Sequence, residues 1–303
     1  MFASYFTSTQ QGILLFAVLL GIAALLLQVR ERHRAALIAL TLAAFALRLF
    51  AAWLDPFLND WDEAYHAVVA KNLMAHPFTP MLYTQAAMPT TTLWSEQHYW
   101  LHKPPFFLWQ IALSLKIFGL HPWAVRLPSV FWLTVLVPIV RRIGRLLRNP
   151  STGFVAALLA AFAYLPQELT AGAINTDHND AVFIALVACS WWAWLECVRA
   201  PSWKWSTAVG LFAACAVLTK WYIGGCVFLP WGLWVMHGRF RWERLKWMLL
   251  ALGITAMPLV TWLMYIAHRF PIEAAYETHE NWLRWTTPLE GHDGPWWFHF
   301  DII

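Results

Sequence analysis

Three acidic residues lie within four positions at the start of a polar stretch of the chain. Asp60, Asp62 and Glu63 follow Asn59 and precede a helical pattern. A carboxylate here could accept a proton from a nucleophilic hydroxyl group, which is the work of a general base. Asp60 with Glu63 three residues later also resembles a capping box. Three carboxylates exceed what a cap needs, so both interpretations are kept.

Two lysines interrupt otherwise apolar or proline-rich sequence. Lys103 follows His102 and precedes two prolines, and Lys220 lies within an apolar stretch. An ionisable side chain in such a stretch is a candidate functional group, and an anionic phosphate is its natural partner. Lys103 could bind a lipid phosphate, or could simply extend its amine to the headgroup region.

Two further polar segments could contribute to a site. Residues 175–180 include Asp177 and Asp180, and suit either a helix cap or the binding of sugar hydroxyls or a metal. Residues 280–297 combine acids, His292 and indoles. Those indoles suit an interfacial aromatic belt or stacking on sugars.

The composition is that of an integral membrane protein. Hydrophobic residues make up 60% of the 303 residues and charged residues only 13%, with a mean hydropathy of +0.50. The four cysteines lie in apolar runs, which predicts buried hydrophobic side chains rather than disulfides. The net charge of +4 does not require a nucleic-acid partner, and membrane lipids are the expected surroundings.

The apolar runs predict an all-α, polytopic bundle of transmembrane helices that forms a single module over residues 1–303. Residues 105–118 are too short to span the roughly 30 Å hydrocarbon core and are predicted to form an interfacial or re-entrant helix, with Gln110 and Ser114 on one face. The predicted spans are residues 11–28, 35–54, 122–140, 152–168, 181–198, 206–219, 222–236 and 247–267.

The basic residues predict the orientation of these spans. Four clusters, at residues 30–34, 141–148, 199–204 and 239–246, hold most of the lysines and arginines. If all four face the cytoplasm, residues 55–105 and the tail at 268–303 lie on the exterior face. Residues 55–105 would then be a catalytic loop carrying juxtamembrane helices.

The order of these motifs resembles the C-type glycosyltransferases, in the branch of protein O-mannosyltransferases and lipid A aminoarabinose transferases. The matching segments are Asp62-Glu63, residues 99–105, residues 124–129, Thr176-Asp177, residues 218–220 and residues 292–297. Each motif alone is weakly specific, whereas six in the same order are strongly specific.

This resemblance implies a function and a set of roles. Asp62 would be the general base, and Glu63 would support Asp62 or the acceptor. Lys103 and Lys220 would bind the phosphate of a polyprenyl-phosphate sugar, and the transfer would invert the anomeric centre. Side chains expected to line the substrate cavity are Asp60, Tyr99, Asp177, Asp180 and His292.

The resemblance also raises a metal site and a C-terminal extension. Relatives in this branch can hold a metal between the residue before the Lys-Pro motif and a later histidine, so zinc could bind between His102 and His292. His102 stands where those relatives have an acid. They are also longer, which predicts that residues 268–303 lead to a further C-terminal part.

The expected acceptor is lipid A, another glycan or a protein, and the expected location is the bacterial inner membrane with a periplasmic active site. Two other functions fit the same residues. A transporter or flippase would bind the lipid-linked sugar without chemistry and would place polar groups in the middle of the membrane. A non-catalytic subunit of a larger transferase is the second alternative.

Overall fold

The computed structural model describes residues 5–85, 93–173, 178–237, 242–288, 294, 295 and 297. These residues form helices and loops without a β-strand, apart from one isolated bridge between Met81 and Tyr99. The helices are α1 (Ser8–Val29), α2 (His33–Ala52), α3 (Asp62–Leu73), α4 (Phe106–Phe118), α5 (Pro122–Leu147), α6 (Pro150–Phe162), α7 (Tyr164–Ala171), α8 (His178–Arg199), α9 (Trp203–Lys220), α10 (Phe228–Met236), α11 (Trp242–Arg269) and α12 (Pro271–Leu283).

Among the described residues, seven helical segments are long and apolar enough to cross a membrane. This confirms the all-α polytopic bundle. Helices α6 and α7 together form one of the seven, with a break at Ala163. Near this break the buried guanidinium of Arg48 donates to the carbonyl of Ala160 at 2.8 Å. All four cysteines are free.

The segment 222–236, which the sequence predicts as one span, is not a single helix. It contains a 3-10 helix over Trp221–Gly225, followed by the nine-residue helix α10. Helices α9 and α11 nevertheless run parallel, because Ser206 bonds to the carbonyl of Trp247, Thr255 bonds to that of Gly210, and Leu218 packs in one cluster with Trp262. The short elements between them therefore carry the chain back along the bundle.

Helix α4 has the short length that excludes a straight span. Its 13 residues reach about 20 Å. The predicted polar face contacts α5: Ser114 donates to the carbonyl of Ala124 at 2.6 Å, and the indole of Trp132 donates to Gln110. The helix ends at Gly119, whose φ of +87° suits a residue without a Cβ atom.

Helix α3, the first turns of α5 and α8, the end of α9, and α12 meet at one end of the bundle, here termed the α3 end. The contacts that join them are described below. The ion pairs Arg142–Glu196 and Glu243–Lys246 lie in the opposite arginine- and lysine-rich segments.

Candidate functional site

Glu63 is the centre of a buried polar network at the α3 end. Its Oε1 accepts from Arg126 Nε at 2.7 Å and pairs with His178 Nε2 at 2.9 Å. Its Oε2 accepts from Arg126 Nη2 at 3.0 Å and from the backbone N–H of Asn59 at 2.7 Å. Both oxygens are therefore occupied, and the residue is only 3% exposed.

Arg126 uses its whole guanidinium in this network. Besides Glu63, it donates to the backbone carbonyls of Ala52, Asp55 and Phe57 at 2.7–3.1 Å. The five contacts match the five N–H groups of an arginine. Arg126 therefore ties the start of α5 to the end of α2 and to the connection that leads into α3.

The network fixes the ionisation of Glu63. Burial alone raises the pKa of Glu63, but hydrogen bonds and charge from His178 and Arg126 outweigh burial and lower the pKa to about 2. Glu63 is thus ionised at neutral pH, and its charge is compensated. A carboxylate with this pKa and these partners is a poor proton acceptor, so its geometry suits support of a neighbouring group.

Gly172 packs against the carboxylate of Glu63. Its φ is +64°, and a Cβ atom there would collide with the Glu63 carboxylate. Its carbonyl accepts from the side-chain amide of Asn59. Glycine is required here by both its backbone conformation and the approach of Glu63.

Asp62 lies beside Glu63 but is less buried. It is the first residue of α3 and half-buried. The cap interpretation of Asp60 is wrong, because the N-cap residue is Trp61, whose side chain makes no capping hydrogen bond, and Asp60 itself is exposed. Trp61 has a φ of +75°, a strained conformation for a bulky residue.

The two lysines predicted to bind phosphate line one cavity of about 200 Å³. Arg284 and the amide of Asn281, which the sequence did not single out, line it too. Lys220 forms an ion pair with Asp180, and both side chains are about one third exposed. Trp221, next to Lys220, has a φ of +54°. The cavity thus combines three cations with a hydrogen-bonding amide.

A larger groove of about 680 Å³ shares Tyr222 with this cavity. It lies between the last turns of α11 and helix α12, and most of its lining is apolar. Tyr99 lies near it and packs on Phe270, with ring centroids 4.4 Å apart.

The structure describes only some of the remaining predicted site residues. Asp177 and His292 lie outside the described residues. His102 lines the cation cavity, and its Nδ1 lies 3.7 Å from Glu277 Oε2. No cluster of three or more potential metal ligands occurs within the part of the chain that the structure describes. The metal site between His102 and His292 stays a prediction.

Sequence reasoning missed Arg126, His178 and Arg284 as individual residues. The sequence could have indicated Arg126, since an arginine within an apolar helix must find buried partners. His178 lies in the polar run 175–180 without a spacing that relates it to Glu63. Arg284 had no distinguishing signal.

Comparison with known proteins identifies a matching family model and several similar proteins. The family model described as "Dolichyl-phosphate-mannose-protein mannosyltransferase" matches residues 102–265, more than half of the chain. A protein of Pseudomonas savastanoi pv. phaseolicola, named undecaprenyl phosphate-alpha-4-amino-4-deoxy-L-arabinose arabinosyl transferase, is 27% identical over 282 residues, covering 88% of this chain and 48% of the relative. The protein of the same name in Pseudomonas paraeruginosa is 29% identical over 226 residues, covering 69% of this chain and 40% of its own length.

Solved structures share the fold. ArnT from Cupriavidus metallidurans in the apo state superimposes with a TM-score of 0.61 at 19% identity, covering 88% of this chain and 47% of ArnT. The same protein bound to undecaprenyl phosphate gives a TM-score of 0.53 over 78% of this chain and 41% of ArnT. The chain spans about half the length of the relatives it matches.

Proposed function

From the premise that this chain belongs to the dolichyl-phosphate-mannose-protein mannosyltransferase family, we propose that it transfers a sugar from a polyprenyl-phosphate donor to an acceptor. By its likeness to the arabinosyl transferases, the donor is undecaprenyl phosphate carrying 4-amino-4-deoxy-L-arabinose. The acceptor in this proposal is lipid A.

The observation that carries the proposal is the cation cavity. Lys103, Lys220 and Arg284 come from distant parts of the sequence and line one small space. Lys220 also forms an ion pair with Asp180. Charge-assisted hydrogen bonds from such groups suit a phosphate. The apolar groove that shares Tyr222 suits the polyprenyl chain attached to that phosphate.

Asp62 has the role of general base in the proposed reaction. Its carboxylate takes the proton from the acceptor hydroxyl, and the acceptor oxygen forms a bond to the anomeric carbon. The bond between that carbon and the phosphate oxygen breaks, and polyprenyl phosphate leaves with the bonding electrons. Lys103, Lys220 and Arg284 stabilise the charge that grows on this leaving group. A single displacement of this kind inverts the anomeric centre.

Glu63 has a positioning role in this proposal. Asp62 and Glu63 are consecutive, so the hydrogen bonds that hold Glu63 and the connection before α3 also restrict the backbone of Asp62. Holding a base in one geometry lowers the barrier by avoiding the cost of orienting it during the reaction.

The proposed reaction takes place on the periplasmic side of the inner membrane. The chain is an integral multi-pass membrane protein, and its clusters of lysine and arginine are concentrated in segments away from the α3 end. The positive-inside rule then assigns the α3 end to the periplasm. Chemical labelling of single cysteines introduced at Glu96 and at Arg199 tests this assignment, since only the former would react with an impermeant reagent in intact spheroplasts.

A divalent metal remains part of the proposal. His102 and Glu277 are of the residue types that bind zinc, and His292 would supply a third group. Zinc held there would polarise the donor phosphate. If zinc contributes, chelation lowers the transfer rate and added zinc restores it, whereas the His102→Ala variant responds to neither treatment. An unchanged rate after chelation contradicts the metal.

The test of the function compares wild-type protein with Asp62→Asn and Glu96→Gln in cells that lack the gene, using mass spectrometry of lipid extracts. The expected result is accumulation of the aminoarabinose donor and loss of modified lipid A, both reversed by wild type and by the exposed control Glu96→Gln. Asp62→Asn should lower the transfer rate by roughly 10²- to 10⁴-fold.

Other outcomes would contradict specific parts of the proposal. If Asp62→Asn rescues the cells as well as wild type does, Asp62 is not the general base, but the chain is still a transferase. No change in any polyprenyl-phosphate lipid favours a subunit of another enzyme. Donor that accumulates only on the cytoplasmic leaflet favours the transporter.

A further inference from the structure

Three aromatic side chains pack edge to face beside Asp62. The rings of Trp61 and Tyr65 lie 5.9 Å apart, those of Trp61 and Trp94 lie 5.4 Å apart, and those of Tyr65 and Trp94 lie 5.1 Å apart. We refer to Trp61, Tyr65 and Trp94 as the aromatic wall. Mutual edge-to-face contacts hold each ring in a defined orientation.

Trp61 is the exposed member of this wall and the strained one. Its side chain is 62% exposed, although a tryptophan gains free energy from burial. Its backbone has a φ of +75°, which costs of the order of 1–3 kcal/mol for such a residue. Strain of this kind persists where the surrounding structure enforces it, and it concentrates at functional sites. The only other described tryptophan with a positive φ is Trp221, next to Lys220.

The wall continues into the cation cavity. Trp94 stacks on the imidazole of His102, with ring centroids 4.4 Å apart and planes inclined by 14°. His102 in turn lines the cavity with Lys103 and Lys220. A continuous row of rings therefore leads from the neighbour of the proposed base to the groups proposed to bind the phosphate.

The sugar of a lipid-linked donor must lie between these two points. Its anomeric carbon is bonded to the phosphate, and the acceptor must approach that carbon with its proton directed at Asp62. We infer that the aromatic wall binds the transferred sugar, with Trp61 presenting its indole face to the C–H groups of the ring. This inference rests on the proposed function and names the residues that recognise the sugar.

The chemistry of an indole suits this ligand. The face of an aromatic ring carries partial negative charge and attracts the weakly positive C–H groups on one side of a sugar. An interfacial belt residue would need neither the strained backbone of Trp61 nor the packing against Trp94. The wall is thus a recognition surface for a sugar ring, separate from the groups that bind the phosphate.

The experiment measures the binding of two lipids to the purified chain in detergent. One is free undecaprenyl phosphate, and the other is undecaprenyl phosphate carrying aminoarabinose. The variants are Trp61→Leu and Trp61→Phe, and the matched control is Trp203→Leu, since Trp203 is 60% exposed and lies at the first residue of α9. Retention of the thermal unfolding midpoint shows that the variants fold.

The expected result is selective. Trp61→Leu weakens binding of the sugar-bearing lipid by roughly 3- to 10-fold and leaves free undecaprenyl phosphate unchanged. Trp61→Phe restores much of the loss because it retains an aromatic face, and Trp203→Leu changes neither affinity.

Three results would overturn the inference. Equal weakening for both lipids assigns Trp61 to the phosphate or to the fold, and no change for either lipid removes Trp61 from recognition. If wild-type protein binds both lipids with equal affinity, the sugar contributes no binding energy. That result contradicts the role of the aromatic wall and leaves the proposed phosphate site unaffected. Wild-type protein that binds neither lipid contradicts the proposed function itself, and is thereby distinguished from failure of the wall alone.

Discussion

The Glu63–Arg126 network and the cation cavity are both clusters of charge at the α3 end, but they differ in how far their charged groups are exposed. In the network, both oxygens of Glu63 and all donors of Arg126 are used within the protein, and both residues are almost fully buried. In the cavity, three cations and one amide surround an open space, and Lys220 and Asp180 are partly exposed.

This difference separates a charge that holds the fold from a charge that binds a ligand. A buried ion pair must be matched within the protein, because an uncompensated charge in a low-dielectric interior is costly. Charged side chains that line an open cavity remain accessible to water and to an anionic ligand. Substitutions in the network should therefore change stability, whereas substitutions in the cavity should change affinity.

The largest expected effect is that of Arg126→Met. Removing the guanidinium leaves Glu63 buried without its main partner, which should destabilise the protein by about 3–5 kcal/mol. Thermal unfolding in detergent, followed by tryptophan fluorescence, measures the loss. The double variant Glu63→Leu/Arg126→Met should be less destabilised than Arg126→Met alone, because no charge is left unpaired. Unaltered stability of Arg126→Met would remove the distinction between the two regions.

Substitutions in the cation cavity should change binding instead. Lys103→Met, Lys220→Met and Arg284→Met should each weaken undecaprenyl phosphate binding by roughly 10- to 100-fold, as expected for a lost charge-assisted hydrogen bond. Their unfolding midpoints should stay close to wild type, because these side chains line an open space. Lys116→Met, an exposed lysine on α4, is the control. Affinity that is retained in all three variants would place the phosphate elsewhere.

Gly172→Ala tests the network without changing any charge. The αL conformation alone costs a residue with a Cβ atom roughly 1–2 kcal/mol, and the added methyl group would also displace the Glu63 carboxylate. Stability should fall by about 2 kcal/mol or more. Gly232→Ala, where a Cβ meets no atom within 4 Å, is the matched control and should be neutral or slightly stabilising. Equal stabilities for the two variants would show that Glu63 can move.

The pH dependence of stability gives the smallest expected effect. The pKa of Glu63 is lowered in the folded state from 4.5 to about 2, so its contribution is fully present above pH 4.5 and is lost as the pH falls towards 2. Between about pH 5 and about pH 3, wild type should lose about 1–2 kcal/mol that Glu63→Gln does not lose. Urea unfolding at both pH values measures the difference. Equal losses of stability in the two proteins would mean that the pKa of Glu63 is not lowered in the folded state.

The architecture could be read from the sequence to a large extent. The apolar runs locate the membrane-length helices, because transfer of a long apolar segment into a bilayer outweighs other local preferences. Residues 222–236 are the exception, since hydropathy does not report that the backbone is broken at Gly225 and restarts at Phe228. The shortness of α4 was also accessible, because length alone excludes a span.

The sequence by itself determined which residue types are available for chemistry and their order along the chain: the acids at 60–63, Lys103, Lys220 and the polar segments that separate apolar helices. Only the tertiary structure decided that Glu63 is buried and Asp62 is not, since adjacent residues on a helix point in different directions and their surroundings come from α5, α8 and Gly172. Only the tertiary structure brought Arg284 to the two lysines and aligned Trp61, Trp94 and His102. Such contacts join residues far apart in sequence, and no local pattern encodes the distance between them.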